Sequence, residues 1–113
     1  SMQETLTLAK SLNLDFANFY SCMPYPGSKL FDETKPEDLP DNWSGYSQHS
    51  FDTTPLPTAI LSSADVLRFR DRAFIEFNTD SAYLERIKNK FGFSAANQIK
   101  NMTAYNLPRK LVA

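Results

Sequence analysis

The run Phe16-Ala17-Asn18-Phe19-Tyr20-Ser21-Cys22-Met23, followed by Pro24-Tyr25-Pro26-Gly27-Ser28, sets the fold expectation for everything around it. It is apolar on both alternating faces, which suits a strand covered on both sides in a parallel sheet. Two prolines then fix φ and remove main-chain donors, and Gly27 admits a tight turn, so the strand must end at the turn. A strand of that kind needs neighbours on both edges.

Upstream, Leu6, Ala9 and Leu12, with Leu8 alongside, recur at helical spacing and predict a short one-sided helix over Glu4 to Asn13. Ser1-Met2 reads as a cloning remnant, since serine does not precede an initiator methionine. Downstream, Leu30 to Thr34 fit one helical turn. Pro36, Pro40, Pro55 and Pro57 then bracket a stretch rich in Asp, Asn, Ser and Thr, so residues 35–61 read as an ordered but irregular crossing segment.

The last third predicts three helices. Ser62 with Asp65 three residues on caps the first, which carries Val66, Leu67, Arg70, Ala73, Phe74 and Phe77 along a stripe. The second starts near Thr79 or Asp80, presents Tyr83, Leu84, Ile87 and Phe91, and stops at Gly92. The third starts at Ser94, shows Ala95, Ile99, Met102 and Tyr105, and is ended by Pro108, leaving a short basic tail of Arg109 and Lys110. The expected fold class is therefore α+β and mostly helical, with one or two short strands followed by a three-helix C-terminal extension. Its parts are residues 3–34, 35–61 and 62–113.

The 113 residues leave room for one modest core. Twelve basic and 13 acidic side chains are spread along the chain without the basic stripe that a phosphate backbone needs, so nucleic acid is not an expected partner. No run approaches the roughly 20 apolar residues of a membrane helix. A single cysteine, Cys22, excludes an internal disulfide and any multi-cysteine metal site, and a cytoplasmic location is the expectation.

The pattern Leu14-Asp15-Phe16-Ala17-x-Phe19, followed by Pro24-Tyr25-Pro26-Gly27-Ser28-x-Leu30, resembles the final core strand of the radical SAM barrel, where the turn commonly reads Pro-Tyr-Pro-Gly-Thr. Ser28 stands in the threonine place. The continuation Trp43-Ser44-Gly45-Tyr46-Ser47-Gln48-His49, and then Leu67-Arg68-Phe69-Arg70, resembles the C-terminal extension of a cobalamin-domain-containing branch that includes the anaerobic magnesium-protoporphyrin IX monomethyl ester cyclases. The resemblance implies a parent iron-sulfur oxidoreductase that binds a 4Fe-4S cluster and cleaves S-adenosylmethionine to a 5′-deoxyadenosyl radical, with cobalamin as a further possible cofactor. The cluster's Cys-x-x-x-Cys-x-x-Cys loop is not in this chain. The expectation is a C-terminal, structural part with no catalytic residue and no metal ligand of its own, whose partner is the rest of its own radical SAM barrel.

In that parent, Pro24, Tyr25, Pro26, Gly27 and Ser28 would lie near S-adenosylmethionine, because barrel enzymes assemble their sites at the carboxyl ends of strands; a plain strand terminator would read the same way. Asn18 and Tyr20 would be polar groups of the lumen, with Cys22 on the same face or else a small buried filler. Trp43, Tyr46 and His49, three apart in the irregular segment, are candidate substrate-pocket groups. The cluster Arg68, Arg70, Asp71 and Arg72 reads as a solvated face. The isolated chain is expected to form a homodimer through Phe16 to Met23, whose strand edges invite pairing. The alternative is a small helical protein-interaction module with Trp43 and Tyr46 as anchors.

Overall fold

A computed structural model describes residues 1–113. It contains five α-helices, α1 (Met2–Ser11), α2 (Lys29–Glu33), α3 (Ser63–Thr79), α4 (Ser81–Phe91) and α5 (Phe93–Thr103). Short 3-10 turns lie at Pro36–Asp38, Trp43–Tyr46 and Lys110–Val112. The chain divides into two units: residues 1–19 with 71–106, and residues 20–70 with 107–113.

The first unit is helical because its signals are local. Ser1 caps α1 in a reciprocal box with Glu4, and Asn13, in the left-handed region at φ 54°, follows the helix end. Asp80 caps α4 by accepting from the Tyr83 amide at 3.0 Å, and Lys88 and Lys90 occupy its last turn. Gly92 then takes φ +101°, a value that favours glycine, and joins α4 to α5. Leu6, Ala73, Phe77, Tyr83, Ile87, Ala96 and Ile99 are buried, and the Phe77 and Tyr83 rings lie 4.7 Å apart.

Side chains of α4 also hold the chain that follows α1. The Tyr83 hydroxyl donates to the Asp15 carbonyl at 2.7 Å, Arg86 donates to the Leu14 carbonyl at 2.9 Å, and Lys90 pairs with the Asp15 carboxylate at 2.8 Å. Two main-chain acceptors outside any helix are satisfied in this way.

In the second unit, Gly27 at φ +88° makes the turn before α2, whose N-cap Ser28 accepts from the Phe31 amide at 3.1 Å. The Trp43–Tyr46 turn is capped by Asn42, and Gly45 is obligatory there: a Cβ would sit 2.6 Å from the Pro40 Cβ. The Ser62 hydroxyl accepts from the Asp65 amide at 3.1 Å, while Asp65 accepts from the Ser62 amide and hydroxyl, the expected capping box. Those Ser62 hydrogen bonds hold the Asp65 carboxyl below its ordinary range.

Three expectations are corrected. No strand forms: residues 16–23 have no ladder partner, because nothing else in the chain offers one. The run keeps the period of extended chain nonetheless, with Phe16, Asn18, Tyr20 and Cys22 exposed while Ala17, Phe19, Ser21 and Met23 are partly or fully covered. Cys22 is exposed, not a buried filler. Arg70 and Arg109 are buried, not parts of a solvated face and a loose tail. The three C-terminal helices and the single turn near Leu30 form as expected.

Burial holds the Tyr83 phenol above the ordinary tyrosine value of 10.0. A raised acid contributes stability that is present below the unfolded value and is lost as pH rises through the folded one. Urea unfolding should therefore show stability falling above about pH 10, as expected from the unfolded tyrosine value, and Tyr83→Phe should diminish that fall and cost about 1 kcal/mol at neutral pH through the lost bond to Asp15.

Candidate functional site

The large apolar side chains of residues 43–53, Trp43 and Phe51, are exposed and do not hold the loop by packing; polar side chains hold it instead. The amide of Gln48 meets the main chain of Ser21 at both of its groups. Its Oε1 accepts from the Ser21 N–H at 2.9 Å, and its Nε2 donates to the Ser21 carbonyl at 3.0 Å. The second hydrogen of Nε2 goes to the Tyr25 hydroxyl oxygen at 3.1 Å. Gln48 is buried, and both hydrogens of its side-chain amide have acceptors.

The C-terminal segment supplies the second clamp. The Arg109 guanidinium, 3% exposed, donates to the Gln48 carbonyl at 2.8 Å, the Ser50 carbonyl at 2.9 Å and the Thr53 hydroxyl at 3.0 Å. Lys110 N–H adds a bond to the Phe51 carbonyl at 2.7 Å. Thr53, wholly buried, donates its hydroxyl back toward the Ser47 and Ser50 carbonyls. Ser44 donates to the Asp52 carboxylate, which that bond holds below its ordinary range. A buried guanidinium with several oxygen acceptors meets the condition for keeping a charge out of water.

This framework shapes a hollow of about 430 Å³ lined by Tyr20, Ser21, Tyr25, Gln48 and His49. Tyr20, Tyr25 and His49 are exposed to it from separate stretches of sequence. The His49 Nε2 lies 3.2 Å from a terminal nitrogen of Arg70. Trp43 and Tyr46 are outside the lining; they stand beside each other with ring centroids 6.2 Å apart, and Trp43 is 79% exposed. Pro24 is buried, and Pro26, Gly27 and Ser28 belong to the turn and cap before α2, not to the hollow.

Asn18 lies elsewhere. It lines a groove of about 320 Å³ in the first unit, together with Phe16, Ala17, Phe74, Asn78 and residues of α5. No three side chains of the metal-ligating types converge, and no helix is long and apolar enough to cross a membrane.

Gln48, Arg70 and Arg109 are the site residues that sequence reasoning missed. Each acts on atoms 21 or more positions away, so no local pattern marks it. No family model, no curated protein and no solved structure matches the chain.

Gln48→Met keeps the side chain's approximate volume and leaves the buried Ser21 N–H and carbonyl without partners. It should cost about 1 to 3 kcal/mol in urea unfolding, whereas Trp43→Ala, at an exposed position, should lie within about 0.5 kcal/mol of the parent chain.

Proposed function

We propose that this chain is the C-terminal part of a radical SAM iron-sulfur oxidoreductase, in which it completes and buttresses the barrel without carrying the catalytic cysteines. The observation that carries the proposal is the alternation along residues 16–23. Phe16, Asn18, Tyr20 and Cys22 are exposed, while their odd-numbered neighbours are partly or fully covered. The main-chain groups of Phe16, Ala17, Asn18 and Tyr20 make no hydrogen bond within the chain. Such a run is suited to ladder partners on its edges and to a cavity on its bare face, as in a barrel strand with helices outside and a lumen inside.

The sequence resemblance over Leu14 to Leu30 supports the same assignment. Asn18 and Tyr20 would then project polar groups toward the lumen, and the turn from Pro24 to Ser28 would lie on the side where S-adenosylmethionine binds. The hollow of Tyr20, Tyr25 and His49 would face the substrate. This chain does not fit a 4Fe-4S cluster, which needs three cysteine ligands where the chain has Cys22 alone. The ligands belong to the remainder of the parent, which would supply the adenosyl radical, with cobalamin as an additional cofactor in the branch it resembles.

A second reading is favoured by one observation. Trp43, nearly fully exposed beside Tyr46, is the kind of aromatic that anchors a protein interface. In a stand-alone interaction module its truncation would abolish partner binding and leave no radical chemistry to measure.

Anaerobic expression of the gene's full-length product, with iron and sulfide reconstitution, separates the two. The radical SAM assignment predicts the absorption of a four-iron cluster and release of 5′-deoxyadenosine from S-adenosylmethionine under reducing conditions. A product with neither would overturn it.

A further inference from the structure

The hydrogen-bonding capacity of the hollow can be followed atom by atom. Ser21 N–H can only donate and its carbonyl can only accept, so the Gln48 amide has one permitted orientation, with Oε1 on the N–H and Nε2 on the carbonyl. Its remaining Nε2 hydrogen points at the Tyr25 oxygen, which must accept. The phenolic hydrogen of Tyr25 is thereby directed away from Gln48. Tyr20, 63% exposed, makes no hydrogen bond within the chain, so its hydroxyl is also available to a ligand.

His49 follows from the same logic. A guanidinium has donors and no acceptor, so the 3.2 Å contact from Arg70 requires a lone pair on the His49 Nε2. The ring is then neutral, with its hydrogen on Nδ1. None of the five lining residues is a carboxylate. Two guanidiniums bond directly to lining residues, Arg70 to the His49 ring and Arg109 to the Gln48 carbonyl.

We propose that the hollow binds an oxyanion, a carboxylate or phosphate group of a ligand, received by the Tyr20 and Tyr25 hydroxyls beside a His49 that Arg70 holds as the neutral Nδ1–H tautomer. Hydroxyl donors not engaged by Gln48 and a lining without a carboxylate together favour a negatively charged acceptor over a cation. This deepens the assignment of the hollow to the substrate side of a parent enzyme, and rests on that assignment only in calling the ligand a substrate.

The test uses the 113-residue chain labelled with ¹⁵N, in which His49 is the single histidine. Long-range ¹H–¹⁵N spectra near pH 7.5 should report Nδ1 protonated and Nε2 bare. Titration with inorganic phosphate, and separately with acetate, at ionic strength held constant by sodium chloride, should give saturable shifts of His49 with at least one of the two. Saturation by phosphate alone assigns a phosphate-bearing ligand, and saturation by acetate alone a carboxylate. Tyr25→Phe and Tyr20→Phe should each weaken binding by roughly tenfold, the usual worth of a hydrogen bond to a charged group. Tyr20 has no partner within the chain, so its variant keeps the test independent of folding. An Nε2–H tautomer, shifts that do not saturate with either anion, or unchanged binding in both variants would overturn the proposal. Oxyanion binding without S-adenosylmethionine cleavage by the full-length product would leave this site standing and remove the radical SAM reading.

Discussion

The second unit depends on the way one glutamine imitates a peptide group. Residues 35–61 hold few buried apolar side chains, and ordering such a segment costs about 1 to 2 kcal/mol per residue in backbone entropy. Little hydrophobic burial is present to offset that cost. The Gln48 amide instead takes the place of a neighbouring strand at Ser21, matching both its donor and its acceptor, and Arg109 fixes the carbonyls on either side of His49. Because these groups are buried, leaving any of them unpaired is costly, and the arrangement is held as much by that penalty as by the bonds themselves.

The same chain behaves differently a few residues earlier. At Leu14 and Asp15 the main-chain carbonyls are taken by Arg86 and Tyr83 of α4, and at Ser21 and Cys22 by Gln48 and the Leu56 amide. Phe16, Ala17, Asn18 and Tyr20 have no such main-chain partner, and the rings of Phe16, stacked on Phe91, and of Tyr20 stay largely exposed. A run tied down at both ends, with the main-chain groups of Phe16, Ala17, Asn18 and Tyr20 unpaired, suits later pairing, which is the physical basis of the proposed barrel reading.

What could be read from the sequence follows the range of each interaction. The three C-terminal helices were legible because their signals are local: Ser62 with Asp65, the Asp80 cap, Gly92, and apolar stripes that place Phe77, Tyr83 and Ile87 in the core. The run from Phe16 to Met23 read as a strand covered on both faces, but one of its faces is exposed and no strand forms, since a ladder needs a second strand and the chain has none to give. Arg109 after Pro108 looks like a solvated tail in sequence; its acceptors sit 56 to 61 positions earlier, where no periodicity connects them. For the same reason Tyr20, Tyr25 and His49 could be named as candidates singly, while their meeting in one hollow, and the exclusion of Trp43 and Tyr46 from it, required the Gln48 bridge.

The most direct measurement of this account is amide hydrogen exchange, followed by NMR at low micromolar concentration so that association of copies does not contribute. The Ser21 amide, donating to Gln48, and the Leu56 amide, donating to the Cys22 carbonyl, should exchange far more slowly than those of Ala17, Asn18 and Tyr20, which have no acceptor. Exchange at Ser21 and Leu56 as fast as at Ala17 would contradict the bridge and, with it, the hollow built upon it.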